Sequence, residues 1–179
     1  MPAHSKVWLN DADVIRLTNE TALVGHDSWG DARLGNVWAT TVELNDFYHI
    51  RELTNLSREA RIRKLNQLGD EAASSLAEAL EDALAVYTNV ICLTHVPPFK
   101  EAAVYEGRPS TSNWLPYFSC KAVGDVLMDA ASQFKEKQIQ ALCGHTHGSG
   151  VYRPLSNLTV MTGGAQYGSP AIQRVLDCK

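Results

Sequence analysis

Histidines follow two short apolar segments of this chain. His95 comes after residues 89–93 within the sequence THVPP, and His145 and His147 come after residues 139–143 within GHTHG. A neutral imidazole nitrogen donates a lone pair near pH 7, and zinc, iron and manganese ions all accept it, often with carboxylates alongside. The three histidines are therefore candidate metal ligands, provided that the fold brings them together.

The elements around these motifs predict that they meet. Both apolar segments are typical of buried strands, and between them an apolar stripe from Val123 to Phe134 has helical spacing. Strand, helix and strand in this order indicate a βαβ unit, in which the parallel strands end at the same edge of the sheet. If the GHTHG segment is extended, the side chains of His145 and His147 point in the same direction. They then face the same pocket as the side chain of His95.

Other elements are predicted on either side of this unit. Residues 21–25 are an apolar run closed by glycine, which predicts a strand entering a loop. Between residues 57 and 87, two leucine stripes separated by Gly69 predict two helices, capped by Ser57 and Asp70.

The remaining segments carry weaker signals. Residues 99–119 are expected to be irregular. Residues 158–161 and 172–176 are expected to form short antiparallel strands. His4 is expected to be solvated near the terminus, and His49 to lie in a surface or half-buried turn.

Composition limits the class of protein. The 179 residues, 45% of them hydrophobic, fit one domain spanning residues 1–179. A net charge of −4 argues against an extended nucleic-acid surface, and no apolar run approaches the roughly 18 residues that span a bilayer. Without a signal-peptide pattern, and with four cysteines that form no CxxC pair, we expect reduced thiols and a cytoplasmic protein.

The sequence GHDSWG allows a second interpretation, the nucleophile elbow of an α/β-hydrolase. That elbow needs small residues two positions before and after the nucleophile. With Asp27 as nucleophile the later position is Trp29, and with Ser28 the earlier position is His26, so both registers fail at one position. This remains the less favoured alternative.

Two motifs together resemble a known family. THVPPF (residues 94–99) and CGHTHG (residues 143–148) resemble the last two metal-binding motifs of calcineurin-like metallophosphoesterases. The sequences FSCKAVGDVL (residues 118–127) and MTGGAQYG (residues 161–168) are similar to one bacterial-type branch of that superfamily. The resemblance extends over nearly the whole chain.

The resemblance implies an α/β fold and hydrolysis of a phosphate mono- or diester by metal-activated hydroxide. The fold expected from it is a layered α/β/β/α sandwich that is incomplete here, with its N-terminal strands missing. The resemblance also implies that His95 and His145 bind one divalent ion (manganese, iron or zinc) and that His147 binds a second. A small phosphoester is the expected substrate. Arg108 and Lys100 are candidates to bind its phosphate. Trp29 and Trp114 are candidates to line the pocket.

The upstream motifs of that family are absent. None of Asp11, Asp13, Asp27, Asp31 or Asp46 begins a DxH motif, no GDxxD occurs, and GHD lacks the asparagine of GNHD. The chain thus resembles the carboxyl-terminal portion of such an enzyme, without its bridging aspartate and general-acid histidine. Without those carboxylates we expect one metal ion rather than two.

The sequence is compatible with two functions. The chain is either part of a metal-dependent phosphoesterase, or a non-catalytic module that binds one metal ion or pairs with another chain. An incomplete sheet would expose an edge, through which we expect self-association.

Overall fold

The computed structural model describes residues 13–178, so His4 and Asp11 lie outside the described range. The strands are β1 (Ile15–Arg16), β2 (Thr21–His26), β3 (Asn89–Thr94), β4 (Val104–Tyr105), β5 (Arg108–Pro109), β6 (Gln138–Cys143), β7 (Gly150–Leu155) and β8 (Leu158–Thr162). The helices are α1 (Asp46–His49), α2 (Arg58–Val86), α3 (Leu115–Phe118) and α4 (Lys121–Gln133), and a 3₁₀ turn covers Arg51–Leu53.

A six-stranded mixed sheet organises the fold, in the order β1-β2-β3-β6-β8-β7. Strands β2, β3, β6 and β8 run parallel, while β1 and β7 are antiparallel additions at the two edges. The predicted βαβ unit is confirmed, because β3 pairs directly with β6 and α4 lies between them in the chain. The α/β fold class is therefore correct.

The main core lies between this sheet and helices α2 and α4. Alternate residues of each parallel strand enter one buried cluster with both helices, as β-strand periodicity requires. Representative members are Val24, Cys92 and Ala141 from the strands and Leu80 and Leu127 from the helices. Within residues 13–178 the only other strands are the two-residue β4 and β5, so the described part of the chain does not form the second sheet of an α/β/β/α sandwich.

The long helix α2 corrects the prediction of two helices. It is continuous for 29 residues, and Ser57 caps it by accepting a hydrogen bond from the Ala60 amide at 3.3 Å. Gly69 lies inside this helix. A residue with a side chain would not fit at this position, because its Cβ would be 2.6 Å from Cβ of Asp31. Asp70 caps nothing and binds Arg33 at 2.7 Å instead.

Two further predictions are wrong. Residues 172–176 form no strand, and the side chains of Ile172 and Val175 are 86% and 81% exposed. Residues 99–119 are more ordered than expected, because they form the β4–β5 hairpin and α3. The strand at 158–161 is confirmed as β8, although it pairs in parallel with β6 as well as antiparallel with β7.

The cysteines are free thiols, as expected. Cys92, Cys120 and Cys143 are buried, and Cys178 is exposed. Burial raises the pKa of Cys92 and of Cys120 to about 12. In the described part of the chain, no helix has the length and apolar character needed to cross a membrane.

A prediction for the fold concerns Gly124 in α4, where the helix meets the loop after β3. A Cβ at this position would be 2.2 Å from the Pro98 carbonyl oxygen, which is backbone and cannot move independently. Gly124→Ala should therefore lower the free energy of unfolding by about 1–3 kcal/mol, measured by urea denaturation. In an unobstructed helix the same change would stabilise by about 1 kcal/mol, so a gain in stability would contradict the packing described. Asp129→Ala, at an exposed position of the same helix, is the matched control and should change little.

Candidate functional site

Parallel pairing brings two of the three histidines together. The β3–β6 ladder ends at Leu93 and Leu142, and the Gly144 amide continues it by donating to the His95 carbonyl at 2.9 Å. Nε2 of His95 and Nδ1 of His145 are 3.0 Å apart, and the ring centroids are 4.8 Å apart. The predicted meeting of these two residues at the sheet edge is therefore present.

The backbone of the GHTHG loop is not extended. His145 has φ +66° and His147 has φ +61°, in the left-handed region that residues with a Cβ rarely adopt. Such conformations cost about 1–3 kcal/mol each and persist only where surrounding contacts enforce them. The expectation that the two side chains point the same way is wrong: the His147 ring packs against Tyr167 at 4.7 Å, while His145 faces His95. The role of His147 as a ligand stays a prediction.

Aromatic side chains surround the histidine pair. Trp29 stacks on His95 with centroids 5.2 Å apart and an angle of 11° between planes, and its ring meets His145 edge-on at 4.8 Å. Phe118 contacts His145 from another direction at 5.0 Å. Trp29, which was predicted to line the pocket, therefore contacts the candidate metal ligands themselves. Phe118 also lines this site, and the sequence did not indicate it.

This packing keeps the histidine pair neutral. Burial and the neighbouring His95 lower the pKa of His145 to about 4. Burial also lowers the pKa of His95, whose ring is open to solvent on one side, against the opposing charges of Asp46 and Asp27. Near pH 7 both rings therefore have a lone pair for a cation, or share one proton between them. Asp46 is an acidic neighbour whose significance the sequence alone did not indicate.

The separation of the two facing nitrogens is that of a hydrogen bond between the rings, and it also equals the distance between two adjacent ligand atoms around a single ion. Metal–nitrogen bonds of about 2.1 Å place adjacent ligand atoms roughly 3.0–3.4 Å apart, and the observed separation is 3.0 Å. The other ring nitrogen, Nε2 of His145, is buried without a hydrogen-bond partner in the described structure. No cluster of three or more His, Cys, Asp or Glu able to hold a metal occurs in residues 13–178, so a complete two-metal centre does not fit there.

A buried carboxylate fixes the loop that carries Trp29. Asp31 is fully buried, accepts hydrogen bonds from the Ala122 amide at 2.9 Å and from the Arg33 amide at 3.1 Å, and pairs with the Arg33 guanidinium. Its carbonyl accepts from the side chain of Asn66 at 2.6 Å. The loop is thus attached to both α2 and α4, which fixes the indole against the histidines.

The predicted phosphate-binding residues lie elsewhere. Arg108 is exposed on β5 and lines a neighbouring cavity together with Trp114 and Phe118. Lys100 is exposed and lies 3.9 Å from Glu101. Neither has a contact with the histidine pair in the structure. His49 is exposed at the end of α1, as expected.

The nucleophile elbow is not formed. Neither Asp27 nor Ser28 has the positive φ of a strained turn, and β2 leads into a loop rather than a helix. The Ser28 hydroxyl is buried without a hydrogen-bond partner in the described structure, so no base contacts it. The α/β-hydrolase interpretation is therefore wrong.

Two solved structures are similar to this chain at low sequence identity. No protein-family model and no curated protein matches the chain. A dimetal phosphatase from Danio rerio is similar at 17% identity and a TM-score of 0.46, over 84% of this chain and 48% of that one. GAP50, the anchor in the inner membrane complex of Plasmodium, is similar at 12% identity and a TM-score of 0.41, over 85% of this chain and 35% of that one. The chain spans less than half of the length of either structure.

A pH dependence follows from the lowered pKa of His145. The unfolded chain protonates this residue near the ordinary value of 6.5, and the folded chain only near 4. Between these values the unfolded state binds more protons, so the free energy of unfolding should fall as the pH decreases from 6.5 to 4. Urea denaturation at several pH values, with a chelator present, should show this slope in the wild type and a smaller one in His145→Gln. An unchanged slope in His145→Gln, matching that of the exposed control His49→Gln, would contradict the burial of this imidazole.

Proposed function

We propose that this chain supplies histidine ligands to a metal-dependent phosphoesterase that hydrolyses a small phosphate mono- or diester. The observation that carries the proposal is the 3.0 Å approach of two neutral imidazole nitrogens at the carboxyl edge of a parallel sheet. Their motifs, THVPPF and CGHTHG, are those that resemble metallophosphoesterases. Carboxyl edges of parallel strands are where α/β folds place their sites.

Each residue of the site has a distinct role in this proposal. His95 and His145 hold one divalent ion, of manganese, iron or zinc, and His147 serves a second where one is bound. Such an ion supplies Lewis-acid polarisation of a phosphoryl oxygen and lowers the pKa of water. Trp29 and Phe118 fix the imidazole planes and exclude water from one side of the pair. The carboxylate ligands would come from outside residues 13–178.

A second function is favoured by the incomplete ligand set. Two imidazoles hold a divalent ion weakly, and no third ligand of the usual types joins them in the described residues. The chain would then be a module that binds one metal ion, or a half-site completed by another chain, without hydrolysing a substrate itself. Metal binding is common to both functions, whereas turnover is specific to the first.

The test combines metal binding with turnover. Manganese binding is measured by calorimetry, and hydrolysis is followed with p-nitrophenyl phosphate and bis-p-nitrophenyl phosphate. His95→Ala and His145→Ala should each reduce turnover by at least about a hundredfold and weaken manganese binding. His49→Ala removes an exposed histidine and should leave both unchanged.

The outcomes separate the two functions. Turnover that depends on both histidines and on manganese supports the phosphoesterase. Manganese binding that depends on both histidines, without turnover of either substrate, supports the binding module. Wild-type manganese binding in both variants would contradict any role of the pair as metal ligands.

A further inference from the structure

A cavity of about 370 Å³ lies between the β4–β5 hairpin and α3. Its wall is aromatic, with Tyr105, Trp114 and Phe118, and its rim bears one charge of each sign, Glu106 and Arg108. The volume is within the usual range of ligand pockets, about 300–1,000 Å³. The indole of Trp114 is 40% exposed and the phenol of Tyr105 is 49% exposed, so aromatic surface is available to a ligand.

One side chain joins this cavity to the histidine pair. The Phe118 ring packs against Trp114 with centroids 4.9 Å apart, and against His145 with centroids 5.0 Å apart. Phe118 therefore lines the cavity and also contacts a candidate metal ligand, so a ligand in the cavity lies close to His145.

The hairpin is held firmly against the histidine loop. The Thr162 hydroxyl at the end of β8 donates to the Ala102 carbonyl at 2.7 Å, just before the hairpin. The Ser110 amide closes the hairpin itself by donating to the Ala103 carbonyl at 2.8 Å. Gly148, the last residue of GHTHG, lies so close to the hairpin that a Cβ would be 2.3 Å from the Val104 carbonyl oxygen. The cavity is therefore fixed in position relative to the histidines.

We propose that this cavity binds a planar aromatic group of the phosphoester substrate, stacked on Trp114. The inference rests on the proposed function and specifies its substrate class, an aryl or nucleobase-bearing phosphoester rather than an alkyl one. Stacking on an indole is worth about 1–3 kcal/mol for a base, enough for strong selectivity. Arg108 and Glu106, both exposed at the rim of the cavity, provide polar contacts for the edge of the ring.

The experiment measures binding separately from turnover. Phenylphosphonate and methylphosphonate are not hydrolysed and differ only in the aromatic group, and their affinities are measured by calorimetry with manganese present. Phenylphosphonate should bind about tenfold more tightly to the wild type, and Trp114→Ala should remove this advantage without changing methylphosphonate binding. Trp114→Phe, which keeps a ring, should retain most of it. Trp38→Ala, at an indole that is 65% exposed elsewhere, is the matched control and should behave as the wild type.

The outcomes distinguish this inference from the proposed function. Equal affinity for the two phosphonates, or an equal loss for both in Trp114→Ala, overturns the aromatic pocket even where p-nitrophenyl phosphate is hydrolysed. Selective binding of phenylphosphonate that depends on Trp114 supports the pocket, even if no substrate is turned over and the phosphoesterase proposal fails. Thermal denaturation verifies that Trp114→Ala is folded. If this variant is unfolded, Trp114→Phe is compared with the wild type instead. A loss of selectivity in Trp114→Phe, which retains an aromatic ring, would contradict stacking.

Discussion

The candidate site depends on the register of one parallel strand pair. Residues 89–93 of β3 pair with residues 138–142 of β6, and the Gly144 amide extends the ladder to His95. A slip of one residue would reverse the face of every β6 side chain and separate the two imidazoles. The register is determined by burial, because Ile139, Ala141 and Cys143 must enter the core beneath α2 and α4. Hydrophobic packing on one face of the sheet thus places two polar groups at its edge.

A second constraint acts through the buried carboxylate of Asp31. Removing a charge from water is costly unless partners replace the lost hydration, and here the partners belong to different elements. The Ala122 amide belongs to the first turn of α4, while Arg33 also reaches Asp70 of α2. Because Gly69 has no side chain, α2 can approach Asp31 closely. The loop that follows β2 is therefore attached to both helices, and the position of Trp29 over His95 follows from this attachment.

Most features that depend on local sequence patterns or on the rules of strand connection were predicted correctly, whereas features that depend on particular contacts between distant residues were not. Periodic hydrophobic patterns predicted β2, β3, α4 and β6, and the rules of βαβ connection predicted that His95 and His145 meet. The continuity of α2 was missed because Gly69 has a tertiary role that no local pattern reveals. The left-handed conformations of His145 and His147 were also missed, because no local pattern distinguishes them from the extended segment that was expected. The aromatic wall from Phe118 and the charge of Asp46 likewise depend on contacts across long sequence separations.

Charge balance sets the chemistry available to the histidine pair. Two neutral imidazoles donate lone pairs but do not compensate the charge of a divalent ion, so an anion has to contribute. Asp46 acts on both histidines through its charge, yet it does not complete a three-ligand group in the described residues. A phosphoester is itself an anion, and it would bring negative charge to the cation when it binds. Cation and phosphoester should then each strengthen the binding of the other, because a coupling free energy between two ligands is reciprocal. Under the proposed function, the phosphoester would therefore supply part of the negative charge that the two imidazoles lack.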